Sequence, residues 1–169
     1  MSALTQFRKN KDHSFKHDPY SPVPFDERVT FTGLNYYPEN KALSFILEVE
    51  EFPQKEEIIM KTSTGDEALF LKFGHIHFPV NDAQQTLTLY ESPGHGELFL
   101  PFGDATNGHE TYGGGRYLEV YPVENGKYQV DFNLAYNPYC AYSDAWSCPI
   151  PPTENRLPVK IEAGEKKYK

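Results

Sequence analysis

The stretch Asp104-Ala105-Thr106-Asn107-Gly108-His109-Glu110-Thr111-Tyr112 places two carboxylates, an imidazole and several hydroxyls in one short loop. A histidine flanked by carboxylates can carry protons near neutral pH, so Asp104, His109 and Glu110 are the candidate acid-base residues. The same residue types also build ordinary turns, because Asp and Asn side chains hydrogen-bond the nearby backbone. Gly113-Gly114-Gly115 follows and leads into a strand rather than a helix. Dinucleotide and Walker phosphate loops both need a helix N-terminus at that point, so nucleotide binding is unsupported.

A second loop, from Asn137 to Arg156, is dense in rings and prolines and carries both cysteines, Cys140 and Cys148. Two cysteines are too few for a disulfide framework, and they read as small buried hydrophobes. A reactive thiol is the alternative, and it would need a nearby cation to lower its pKa. Glu154 and Asn155 follow Pro149, Pro151 and Pro152, a stiff lead that fixes a carboxylate and a carboxamide in place. His75 and His77 alternate on one expected strand and so share a face, which makes them the alternative to having no metal site at all. His95, His109 or the thiols would be the further ligands. No cofactor is expected.

Asn125-Gly126 between two alternating runs is a strong hairpin signal, and a two-residue type I′ turn there sets a register. Arg116 then lies opposite Ala135, Leu118 opposite Asn133 and Val120 opposite Asp131, with Asn137 diagonal to Arg116. Arg116, Asp131, Asn133 and Asn137 would share one face, and Tyr117, Tyr121, Tyr128, Val130, Phe132, Leu134 and Tyr136 mostly the other. A guanidinium beside two carboxamides suits an anionic or polar ligand. A wet sheet face, with Arg116 paired to Asp131 or Asp104, is the alternative.

The elements that must position these groups are mostly strands. Leu4 to His17 has the spacing of one short helix, with Leu4, Phe7 and Phe15 near one face, and Pro19, Pro22 and Pro24 end it. Beyond it, about ten short β-rich runs are separated by turns such as Thr64-Gly65-Asp66, Asn81-Asp82 and Pro93-Gly94. They cover 29–37, 43–52, 58–63, 68–73, 75–80, 86–91, 97–102, 116–123, 127–136 and 157–161. A mainly β fold follows: an antiparallel β-barrel or β-sandwich of about ten strands with a short N-terminal helix. Residues 1–22 form the helix and Pro-rich lead-in, and 23–169 a single β domain.

The 169 residues carry a formal charge of −8, with 15% aromatic residues against 38% apolar, so large rings carry much of the packing. Negative charge argues against nucleic-acid and anionic-membrane partners, which require a basic patch. No run approaches a membrane span, and the polar start lacks the apolar stretch of a secretory signal, so a cytoplasmic protein is expected. It would be a monomer or homodimer.

Several strings also occur together in one family: Leu98-Phe99-Leu100-Pro101-Phe102, Asp104-Ala105-Thr106, Glu110-Thr111-Tyr112-Gly113, Gly115-Arg116-Tyr117-Leu118 and Asp131-Phe132-Asn133. Ala135-Tyr136-Asn137-Pro138-Tyr139-Cys140-Ala141-Tyr142, Cys148-Pro149 and Glu154-Asn155 continue the series. In these the chain resembles domain of unknown function family 1684, which implies that both long loops and the hairpin belong together and supplies no reaction or ligand. Gly103 stands where the resemblance leads one to expect arginine.

The primary expectation is a small-molecule-binding β domain with its site formed by loops 104–116 and 137–156. Arg116 would orient an anionic group, Asn133 and Asn137 would select hydrogen bonds, and Tyr112, Tyr136 and Tyr142 would stack or close the site; Glu154 and Asn155 are further ligand-binding candidates, with tying down loop amides as their alternative role. The alternatives are an enzyme doing acid-base chemistry on a small substrate and a structural or protein-interaction module.

Overall fold

The computed structural model describes residues 1–169. Helix α1 spans Ala3–His17, and Ser2 caps it by accepting from the Thr5 amide at 3.1 Å. The strands are β1 (Ser44–Leu47), β2 (Glu50–Glu51), β3 (Glu57–Lys61), β4 (Glu67–Val80), β5 (Ala83–Glu91), β6 (Leu98–Phe102), β7 (Arg116–Pro122) and β8 (Tyr128–Asp131). All pair antiparallel in one eight-stranded sheet of order β1-β8-β7-β6-β5-β4-β2, with β3 also on β4.

The sheet curls into an open half-barrel, which corrects the expected closed barrel or ten-strand sandwich. Four of the expected strands are lost or merged, and one more, 43–52, divides into β1 and β2. Residues 29–37 form no ladder, and only Tyr36 bridges Glu165. The runs 68–73 and 75–80 fuse into β4, where a register shift between Lys72 and Gly74 bends the strand instead of ending it. Residues 157–161 run extended beside the loop after β6, with bonds such as Leu157 N–H to the Gly103 carbonyl at 2.8 Å. Strand β4, the longest, pairs with β5 on one side and with both β2 and β3 on the other.

Inside the curl, Ile76, Phe78, Leu87, Leu100, Val130 and Phe132 are fully buried and form the main core. A second, smaller cluster of Phe15, Val23, Phe31, Leu34 and Tyr142 seats α1 and the lead-in against the second loop. Burial of these rings and aliphatics, at roughly 1.5–3 kcal/mol per large side chain, supplies the main folding drive.

The hairpin β7–β8 departs from the expected register by one residue. Tyr121 pairs with Gln129 and Pro122 with Tyr128, because the loop holds Glu124, Asn125 and Gly126 instead of two residues. A one-residue slip exchanges the faces of one strand against its partner. Leu118 and Val120 therefore join Val130 in the core, and Tyr117, Glu119 and Tyr121 turn outward. Aliphatic side chains fill the interior without a hydroxyl to satisfy, which favours this register over the one that buries Tyr121. Strand β8 then stops at Asp131, whose carboxylate caps a short turn by accepting from the Asn133 amide at 3.0 Å. Arg116, Asp131, Asn133 and Asn137 consequently share no face.

Candidate functional site

The expected polar constellation does converge in part, but on the chain's own C-terminal segment. Arg116 is fully buried and donates to the carbonyls of Ile161 (2.8 Å), Glu165 (3.2 Å) and Ala163. Asp104, equally buried, lies 3.5 Å from the guanidinium and accepts from the Ile161 amide at 2.6 Å and from Thr106 Oγ1. Burial pushes the Arg116 pKa down and Asp104 opposes that shift. Asn137 donates to the Lys166 carbonyl at 2.9 Å, and Tyr142 donates to Glu165 Oε1 at 3.1 Å. Glu165, itself buried, also pairs with Lys11 of α1. The guanidinium thus meets backbone carbonyls where a ligand's anionic group was expected.

The remaining expected residues separate. Asn133 exchanges bonds with the Asn40 backbone at 2.8 and 2.9 Å. Asn155, buried, joins Thr88 to Pro101 through its carboxamide, each bond 2.8 Å. Glu154 accepts from Tyr90 and Lys72 on the far side of the sheet. His109 is exposed and pairs with no carboxylate, while Glu110 accepts from the Tyr37 hydroxyl at 3.0 Å. Asp104, His109 and Glu110 do not form a proton-transfer set. Tyr112 contacts Cys140 Sγ at 3.5 Å, and Cys148 Sγ accepts from the Cys140 amide at 3.3 Å. Both cysteines are free thiols, and burial pushes Cys148 up to about 11. That direction disfavours a nucleophile.

The largest concavity lies outside the curl, between α1, the outward face of β7 and the second loop. It is a groove of about 820 Å³. Phe7, Asn10, Lys11 and Phe15 form one wall, Tyr117, Glu119 and Tyr121 the floor, and Tyr136, Tyr139, Trp146 and Cys148 contribute the other wall. The alternation of β7 sets the floor, since its outward residues are those the slipped register releases from the core. The walls are stiff: Tyr117 and Tyr136 rings meet edge-on at 5.9 Å, and Tyr139 and Trp146 at 5.0 Å. Tyr117 hydroxyl donates to the Pro149 carbonyl, which ties floor to loop.

One charge in this groove lacks a counterion. Glu119 accepts from the Tyr136 hydroxyl and forms no ion pair. The Lys11 ammonium, about 5 Å above the Phe15 and Tyr136 rings, is already matched by Glu165. Burial, then the Glu119 carboxylate, pushes the Tyr136 hydroxyl pKa up, so Tyr136 stays a donor. The arrangement gathers aromatic side chains beside a carboxylate, a combination that attracts organic cations.

Of the residues expected from sequence, only Tyr136 and Cys148 line this groove. Glu119, Lys11 and Phe7 were missed. Trp146, the sole tryptophan, was the visible signal, and correct reading of the β7 alternation would have added Glu119.

Comparison with known proteins places this chain in a family. The family described as "Protein of unknown function (DUF1684)" matches residues 29–166. The chain belongs to DUF1684. Its fold is similar to the solution structure of an uncharacterized protein from gene locus rrnAC0354 of Haloarcula marismortui, with 33% identity and a TM-score of 0.73. That likeness covers 96% of this chain and 91% of the other. No curated protein matches the chain. The DUF1684 match spans β7, the second loop and the C-terminal segment, but starts after α1, so the helical wall of the groove lies outside the matched region. No helix is long and apolar enough to cross a membrane.

Proposed function

We propose that this chain is a small-molecule-binding domain whose ligand lies in the groove between α1, β7 and the second loop. The ligand class is an organic cation: an ammonium head with an aromatic or alkyl body. The observation that carries this reading is Glu119, a carboxylate without an ion pair on the floor of an aromatic groove. An ammonium there gains the opposite charge, and any ring face it meets adds roughly 0.5–2 kcal/mol. The apolar walls remove the ligand's body from water. The proposed site keeps the second loop of the expected one, exchanges the 104–116 loop for α1 and takes a cation in place of an anion.

Trp146 makes the test direct, since the protein's single tryptophan lies on the groove wall. A series sharing one phenyl ring, namely 2-phenylethylammonium, 2-phenylethanol and phenylacetate, is titrated while tryptophan fluorescence is followed. Saturable change with the ammonium first, the alcohol weaker and the carboxylate weakest is expected. At 100 times its dissociation constant the ammonium adds about 2.7 kcal/mol, or roughly 5–10 °C in Tm. Equal response to all three probes, or none, refutes the cation reading.

A further inference from the structure

We propose that Glu50, His75 and His77 form a binding site for a divalent transition metal of the zinc type, at the edge of the sheet formed by β2 and β4. The strand geometry brings the three together. His75 and His77 are two residues apart on β4 and so share a face, and Glu50 of β2 is the cross-strand partner of His75. Glu50 Oε1 lies 3.8 Å from His75 Nδ1, and Oε2 lies 3.6 Å from His77 Nε2. One ligand atom from each residue falls within 4.8 Å of the others.

Zinc bonds nitrogen and carboxylate oxygen at about 2.0–2.2 Å in tetrahedral geometry, which sets neighbouring donor atoms roughly 3.3–3.5 Å apart. The two Glu50–His separations, one to each carboxylate oxygen, lie within about half an ångström of that value. All three ligand atoms already lie within 4.8 Å of one another, and the remaining adjustment falls mainly to the exposed Glu50 side chain.

An independent observation concerns orientation. His77 Nδ1 is 2.8 Å from Thr86 Oγ1, and Thr86 is the residue paired with His77 across β4 and β5. With Nδ1–H donated to that hydroxyl, Nε2 carries the lone pair and faces Glu50. This outer hydrogen bond is the one that metal-bound histidines require to hold ring and tautomer. The Phe52 ring meets the His75 ring edge-on at 4.8 Å and limits its rotation. No lysine or arginine pairs with Glu50, so its carboxylate faces only the two imidazoles.

Two imidazoles and one carboxylate select zinc-class ions over magnesium or calcium, which prefer all-oxygen shells. Three protein ligands leave one position for water or an added donor. His75 also borders a second groove, of about 480 Å³, containing Lys72 and Glu154. The site shares no residue with the aromatic groove on β7, so the two readings stand or fall separately.

The test uses the full chain without a histidine tag, stripped with chelator, dialysed and titrated calorimetrically with zinc, with cobalt(II) as a spectroscopic probe. One saturable equivalent of zinc per chain and no response to magnesium are expected. Glu50→Gln and His77→Ala should each weaken binding at least about tenfold, and Thr86→Val, which keeps all three ligand atoms, by roughly 10–100-fold. His95→Ala should bind as the parent does. These exposed positions leave folding intact, which circular dichroism checks. Absence of saturable one-to-one binding overturns the site. So does zinc binding that survives the double variant His75→Ala/His77→Ala but is lost in Cys140→Ser.

Discussion

Replacing Arg116 by methionine keeps an unbranched stem in the core and removes every donor the guanidinium offers. Three carbonyls, those of Ile161, Ala163 and Glu165, then lose their partner inside the protein. Asp104 loses its cation but keeps bonds from Thr106 and the Ile161 amide, so its charge is still partly met. Removing one member of a buried pair costs about 3–5 kcal/mol, and the three carbonyl bonds overlap with that loss instead of adding to it. A destabilisation of about 4 kcal/mol is expected, a large share of the roughly 5–15 kcal/mol that holds a domain together. Urea unfolding followed by circular dichroism measures it, with Asp104→Asn and the double variant completing the cycle. The double variant should recover part of the loss, because it no longer buries a lone carboxylate. An Arg116→Met protein within about 1 kcal/mol of the parent would refute the clamp and return the guanidinium to a ligand role.

Other outcomes follow from the same geometry. Glu119→Gln should fold normally and abolish the preference for 2-phenylethylammonium over 2-phenylethanol; preserved preference in the tryptophan titration would remove Glu119 from the site. Lys11→Met leaves Glu165 buried without its cation, so the amides of α1 should exchange faster with deuterium than those of β5, at a cost of about 1–3 kcal/mol. Cys148 has a folded pKa above its ordinary value of 9.0, so its share of stability is complete below pH 9 and lost as pH rises through about 11. The urea midpoint of the parent should fall over that window more steeply than that of Cys148→Ala, and parallel curves would contradict the burial of that thiol. Gly74→Ala would set a Cβ 2.6 Å from the Glu50 carbonyl oxygen; it should displace β2 and weaken zinc binding although no ligand is changed, as calorimetry would reveal.

Local rules carried much of the fold. The Leu4–His17 periodicity gives α1 to within a residue, and Asn81-Asp82, both at positive φ, make the tight β4–β5 reversal expected of them. Failures came where tertiary packing decides. Gly74 looks like a strand break in one dimension, yet it bends β4 because only a residue without Cβ admits the Glu50 backbone so closely. Asn125-Gly126 announced a turn but not its length, and the extra Glu124 reversed the faces of β7. That single residue decided the site: it placed Glu119 outward and Arg116 inward. The gathering of Arg116, Asn137 and Tyr142 was foreseeable from their polarity, whereas their acceptor, the 161–166 backbone, has no signature because carbonyls are common to every residue. Glu50 was missed for a related reason: it fell inside the expected strand 43–52, and nothing in that run tells that its end pairs with His75.

The ion pair between Lys11 and Glu165 joins positions 154 residues apart. A helix made early in synthesis must therefore wait, exposed and marginal by itself, until nearly all later residues have emerged and the Arg116 anchor has drawn residue 165 into place. Contacts of such separation slow the search for the native state. Refolding should accordingly proceed with the curled sheet assembling first and the aromatic groove, which needs α1 as one wall, maturing last.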